Sequence, residues 1–208
     1  MKIRVAAFAP LFLLFQFAHA ADQFLEEETA RALAAGEPAA VVKALNKLVD
    51  ADNVVAATEL GLMYRDGKGV PADHAKARKF LKIAAAPDLV RMWHKYGFPK
   101  AQYTLAVMLR DGVGGKPNVP GAVSWFEKAA EQGYGEAELE LAKMYLNGAG
   151  IKSDPERAFI WSSIAATRLS GPAQKDAEQM RDRAQGQLDP RQLAKAGNLL
   201  KNWKPRTG

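Results

Sequence analysis

The sequence predicts an all-α fold, an α-solenoid of stacked helical hairpins, and three observations predict it. One helix-turn-helix pattern occurs three times, each copy breaks at a Gly-x-Gly in the same place, and the flanking segments read as helices without that break. Composition is compatible with this and closes other routes. With 48% hydrophobic and 25% charged residues, 17 Gly and 11 Pro, the 208-residue chain is ordinary for a packed protein, neither disordered nor fibrous. Cys is absent, which removes thiolate nucleophiles, Cys-ligated zinc and iron–sulfur clusters together. Lys and Arg number 29 against 23 Asp and Glu, a net charge of +6. There is no cationic run and no stripe of basic residues alternating with aromatics, so no nucleic-acid partner is expected.

Residues 1–20 read as a cleaved signal peptide. Lys2 and Arg4 make a short cationic start, and Val5 to Phe17 is an uncharged apolar stretch interrupted only by Pro10 and Gln16. Ala18-His19-Ala20 then places small residues where a signal peptidase reads them, with cleavage expected after Ala20. The stretch is shorter than the roughly 20 apolar residues a membrane span needs. No Cys follows that could be acylated, and no later stretch is apolar enough to insert stably. The expected location is the periplasm. Residues 21–55 read as N-terminal capping helices, Asp22 to Ala35 and Pro38 to Asp50, parted by Gly36-Glu37.

The repeats begin at Ala56, Ala101 and Ala137, giving units 56–100, 101–136 and 137–172. Four residues on stand Leu60, Leu105 and Leu141; five on, the small Gly61, Ala106 and Ala142; eight on, Tyr64, Leu109 and Tyr145. Gly67, Gly112 and Gly148, then Gly69, Gly114 and Gly150, mark the break. Asp73, Asn118 and Asp154 precede the second helix, followed by Ala77, Ala122 and Ala158, by Phe80, Trp125 and Trp161, and by an Ala-Ala pair. The Leu, small and Tyr positions share one helical face, the small residue letting a neighbouring helix approach. The two Gly permit left-handed backbone, and the Asp or Asn residues are expected N-caps, with Pro155 at the first helical position. In the second helix the aromatics are expected to form the stripe with the alanines, Trp125 and Trp161 as buried wedges. A hairpin of this kind cannot bury its stripe alone, so units must stack.

The pattern resembles the Sel1-like repeat, a subclass of the tetratricopeptide type. The residues that carry the resemblance are Leu60-Gly61, Tyr64, Gly67-Lys68-Gly69-Val70, Asp73, Lys76-Ala77 and Ala84-Ala85, echoed by Leu141-Ala142, Tyr145, Gly148-Ala149-Gly150-Ile151, Asp154, Ala158, Trp161 and Ala165-Ala166. The second copy departs at Leu109 and at Pro117-Asn118-Val119-Pro120. The resemblance implies a right-handed solenoid whose first helices line a concave surface. Residues 173–208 read as C-terminal capping helices, Ala173 to Gln185 and then a helix opened by Asp189-Pro190-Arg191-Gln192, a capping-box spacing, and running to about Trp203.

The tetratricopeptide layout implies that the groove-facing positions are Thr58, Leu62 and Arg65, Tyr103, Val107 and Arg110, and Leu139, Lys143 and Leu146. This apolar and basic set suits a protein or peptide partner, although Leu62, Val107 and Leu139 could equally pack against a flanking repeat. The first two copies start 45 residues apart and the last two 36, so Ala86 to Tyr96 carries an insertion. Either it extends a helix with Trp93 and Tyr96 packed inward, or it presents both to a partner.

Little else carries chemistry. Beyond the leader only His74 and His94 remain, 20 positions apart, so no metal or cofactor is expected and His74 reads as solvated. Gly112-Val113-Gly114-Gly115-Lys116 is a turn, because Arg110 stands where a phosphate loop needs Gly and Pro117 where it needs Ser or Thr. The runs Glu26-Glu27-Glu28 and Glu136, Glu138, Glu140 read as solvated faces, and no nucleophile motif occurs. The expected function is a non-catalytic periplasmic adaptor that binds another protein through the concave face. Some exported relatives are immunity proteins neutralising phospholipase effectors, and others are scaffolds or negative regulators in envelope signalling or polysaccharide export. Cysteine-rich relatives have been associated with penicillin binding, which makes a weak β-lactam-binding enzyme the alternative of another class.

Overall fold

The structure, a computed structural model, describes residues 38–86 and 96–206. The signal peptide and the helix expected over Asp22 to Ala35 lie outside the described residues. Those described form nine α-helices and no strand. They are α1 (Pro38–Asp50), α2 (Val54–Asp66), α3 (His74–Ala85), α4 (Pro99–Asp111), α5 (Val119–Glu131), α6 (Gly135–Asn147), α7 (Pro155–Arg168), α8 (Gly171–Gln185) and α9 (Pro190–Asn202). The chain divides into two compact units, one ending at Ala84 and the other beginning at Ala85.

Local chemistry sets the hairpins. Gly67, Gly112 and Gly148 end α2, α4 and α6 in left-handed backbone, φ 67°, 72° and 65°, and their N–H groups donate to the carbonyls of Met63, Met108 and Met144. The next helix is then capped alike in each copy. Oδ1 of Asp73, Asn118 and Asp154 accepts from the N–H of Lys76, Gly121 and Arg157 at 2.9, 3.0 and 3.0 Å. Their own N–H groups reach back to the carbonyls of Tyr64, Leu109 and Tyr145 at 2.8, 2.7 and 2.9 Å.

In the first unit α1 packs on α2, and Val41, Leu45, Leu48, Leu60 and Met63 are its buried core. Tyr64 stacks on Phe80 with parallel rings 5.7 Å apart. Gly61 shows why the small position matters: a Cβ there would lie 2.6 Å from Leu81 Cγ on α3. In the second unit α4 to α8 pack each on the next, α8 also on α6, and α9 returns to α7. The final helix carries its capping box as read, Asp189 and Gln192 bonding reciprocally, while α8 starts at Gly171, two residues before the expected Ala173.

The aromatic positions differ from expectation. Phe80, Trp125 and Trp161 are only partly buried, and Lys128 Nζ covers the Trp125 ring at 4.0 Å. The fully buried column is one residue later, Leu81, Phe126 and Ser162. One residue turns a helix by about 100°, and this later column lies in register with the buried alanines four residues before it and three or four after. The wedges are therefore not the tryptophans.

Candidate functional site

In the second unit α4 presents Tyr103, Val107 and Arg110, spaced to share one face, all half-buried. The Tyr103 ring lies 5.7 Å from Phe126 and 5.2 Å from Tyr134, tilted on both. Burial pushes the Tyr134 phenol up to about 12, with Glu136 and Tyr103 adding to it, so that ring stays neutral. One and a half to two turns on, Arg110 donates from Nε and Nη2 to the Asp111 carboxylate at 2.7 and 3.1 Å, and from Nη1 to Glu140 on α6 at 2.5 Å. Lys143 Nζ donates to the other Glu140 oxygen at 3.1 Å, and the Arg110 guanidinium lies 5.9 Å from the centre of the Phe126 ring. Hydrogen bonding to Arg110 holds the Asp111 carboxyl below its usual value, against a smaller opposing effect of burial. An aromatic ring, an aliphatic side chain, a braced guanidinium and an ammonium group thus lie side by side on α4 and α6.

The remaining positions divide. Thr58 is fully buried with its hydroxyl donating to the Val54 carbonyl at 2.8 Å, and Leu139 and Leu146 are buried as well. Leu62 and Arg65 are half-buried in the first unit, where Arg65 pairs with Asp66 at 2.6 Å. Trp93 lies outside the described residues. Tyr96 is half-buried, and its carbonyl accepts from Gln102 Nε2 at 2.5 Å and from Gln132 Nε2 at 3.3 Å. Gln102, itself fully buried, also donates to the Ala85 carbonyl at 3.0 Å and accepts from Gln132 at 2.8 Å. It holds both ends of the insertion. Tyr134 and Phe126 join the site without having been singled out in the sequence, and Glu140, read there as part of a solvated face, joins it as a partner of Arg110.

The acidic run of α6 is not a solvated face throughout. Glu136 is exposed and Glu140 is paired, but Glu138 has no exposed side-chain surface and neither oxygen has a hydrogen-bond partner. Its nearest cation is Arg168, Nε 3.6 Å away, whose guanidinium sits 4.5 Å from the centre of the Trp203 ring. Burial pushes the Glu138 carboxyl up to about 7, against the pull of Arg168. His74 is exposed, as read. Among the described residues no group of three or more His, Cys, Asp or Glu could hold a metal ion, and no helix is long and apolar enough to cross a membrane.

The Sel1 repeat family model matches the chain at residues 54–86, 99–134 and 135–168. Among solved structures, a protective antigen of uropathogenic Escherichia coli strains displaying an SLR fold is 27% identical, with a TM-score of 0.64 over 79% of this chain. The match spans only 32% of that antigen's length. A Sel1 repeat protein from Oxalobacter formigenes is 25% identical with a TM-score of 0.60, covering 87% of this chain and 78% of its own. No curated protein matches the sequence.

Proposed function

Since this chain belongs to the Sel1-repeat family, whose repeats generally serve as non-catalytic modules that bind other proteins, we propose that it is a periplasmic adaptor. Its partner protein is bound through the face of α4 and α6, the concave face that the tetratricopeptide layout implies. The supporting observation is the bracing of Tyr103 and Arg110. Tyr103 leans on two aromatic rings and Arg110 is held by two carboxylates, so both are anchors whose side-chain entropy is already spent before a partner arrives. Tyrosine and arginine, with tryptophan, are the residue types enriched at such anchor points. Residues 21–55 and 173–208 serve as caps in this reading, and residues 1–20 as the export signal.

The test is affinity capture from a Gram-negative envelope fraction, using the full chain expressed with a C-terminal tag. One stoichiometric partner is expected, lost in Tyr103→Ala/Arg110→Glu, with the purified protein beginning at Ala21. Capture that is indifferent to the double variant would remove the site. The exported relatives that neutralise phospholipases make a lipase effector the first partner to seek. A sensor or secretion component found instead would make the protein a scaffold or regulator.

A further inference from the structure

We infer that the outer face of α3 docks the protein onto an anionic lipid membrane. The face lies in the first unit, shares no residue with the site around Tyr103 and Arg110 and does not depend on it. Its origin is a segregation of charge within that unit. Residues 38–66, which span α1 and α2, hold three Lys or Arg and four Asp or Glu. Residues 67–86, which contain α3, hold five Lys or Arg against one carboxylate, Asp73. The helix turns Ala77, Leu81, Ala84 and Ala85 inward, with Leu81 lying against Gly61 of α2. Lys76, Lys79 and Lys82, three residues apart, and Ile83, four beyond Lys79, fall on the outer side, and all four are exposed. Ile83 is 42% exposed, one of two large apolar side chains left so among the described residues.

Little of this charge is neutralised inside the chain. Lys76 lies 3.4 Å from Asp73 and 5.2 Å from the centre of the Tyr64 ring. Lys68, on the connection, lies 3.7 Å from Asp66, and Arg78 is half-buried, so neither counts toward the face. Once Asp73 is set against Lys76, Lys79 and Lys82 remain without a counter-charge among the described residues. The composition of the face then selects its occupant. Protein interfaces favour aromatic residues, Met and Arg and are poor in Lys and Ala, whereas these lysines stand beside Ala75 and Ala86. No aromatic ring of α3 is exposed on which a nucleic-acid base could stack. Unfixed lysines on the outer side of a helix suit a plane of anionic headgroups, each adding about fivefold to the affinity. Ile83, set among them, can enter the boundary between headgroups and acyl chains.

The test is vesicle co-sedimentation, using the protein purified as the cell processes the full chain. It compares phosphatidylcholine vesicles with vesicles in which about one third of the lipid is phosphatidylglycerol. Binding to the anionic vesicles at low salt is expected to be at least tenfold tighter than to the neutral ones, and to weaken as salt rises. Lys79→Glu/Lys82→Glu, exposed positions whose fold is checked by circular dichroism, should weaken it at least tenfold, and Ile83→Ser several-fold. Lys116→Glu/Lys201→Glu, which changes the net charge equally at exposed positions elsewhere, should leave most of the binding intact. Tyr103→Ala/Arg110→Glu should weaken it no more than that control does. The proposal fails if neither vesicle binds, if the two bind alike, or if the control pair weakens binding as much as Lys79→Glu/Lys82→Glu. A fluorescein-labelled polyglutamate peptide that binds through Lys79 and Lys82 while the vesicles do not would assign the face to an acidic protein and overturn the proposal as well.

Discussion

The second and third repeats share one backbone plan and solve the same two buried positions differently. One residue after each starting alanine, Gln102 and Glu138 are both fully buried. Gln102 donates to two carbonyls and accepts from Gln132, whereas Glu138 has a single cation at 3.6 Å and no hydrogen bond. At the later column Phe126 fills its repeat's interior, while Ser162 sits in the same place and returns its hydroxyl to the Ala158 carbonyl at 2.6 Å. The repeat dictates which position is buried, and side-chain identity decides whether burial stabilises. Gln102 finds acceptors for its N–H groups and a donor for its oxygen, whereas no donor reaches the Glu138 oxygens and burial pushes that carboxyl toward the neutral acid.

The widest contrast is expected in the later column. Phe126→Ala should cost about 3–5 kcal/mol by urea denaturation, since it opens a cavity beneath Tyr103 and Arg110. A loss as small as that of a surface change would mean that the second repeat is not held together there. Next comes Gln102→Leu, expected to cost about 2–4 kcal/mol by leaving the Ala85 and Tyr96 carbonyls without their donor.

Glu138 should behave in the opposite sense. Its folded-state pKa of about 7 lies above the ordinary 4.5, so the folded protein binds the proton more tightly than the unfolded chain. Stability is then greatest below about pH 4.5 as far as this group is concerned, and falls as pH rises to about 7. The expected fall is about 3 kcal/mol at most. Glu138→Gln should flatten that part of the profile and raise stability at pH 8; an unchanged profile would mean the carboxylate is already well solvated. Ser162→Ala is expected to be the smallest effect, under about 1 kcal/mol, because it removes donor and volume together without stranding a charge.

What the sequence makes legible follows from how local each signal is. The Gly C-caps, the Asp and Asn N-caps and the Asp189–Gln192 box act within a few residues, so spacing along the chain reveals them. The column of Phe80, Trp125 and Trp161 misleads because aromatic identity draws the eye, whereas the buried column, Leu81, Phe126 and Ser162, has no common chemistry. Glu136, Glu138 and Glu140 look like one polar patch in the sequence, yet successive members of that series are about 200° apart around a helix and cannot share a face. In the site, Tyr103, Val107 and Arg110 come from the tetratricopeptide layout that the repeat pattern resembles, and helical spacing puts them on one face. Tyr134 and Glu140 do not, since one caps α6 and the other lies on it, and only folding brings them to α4. Thr58, Leu139 and Leu146 occupy the same nominal positions but are small or apolar enough to pack inward.

The Gln102 clamp also bears on how this architecture can change. With the carbonyls of Ala85 and Tyr96 both held by one side chain, the two ends of the insertion are already secured. Doubling the length of a flexible connection between fixed ends costs only about 0.6 kcal/mol. Sequence can therefore be exchanged or lengthened between those two anchors with little penalty to the repeats on either side, which makes this junction the natural graft point of the molecule.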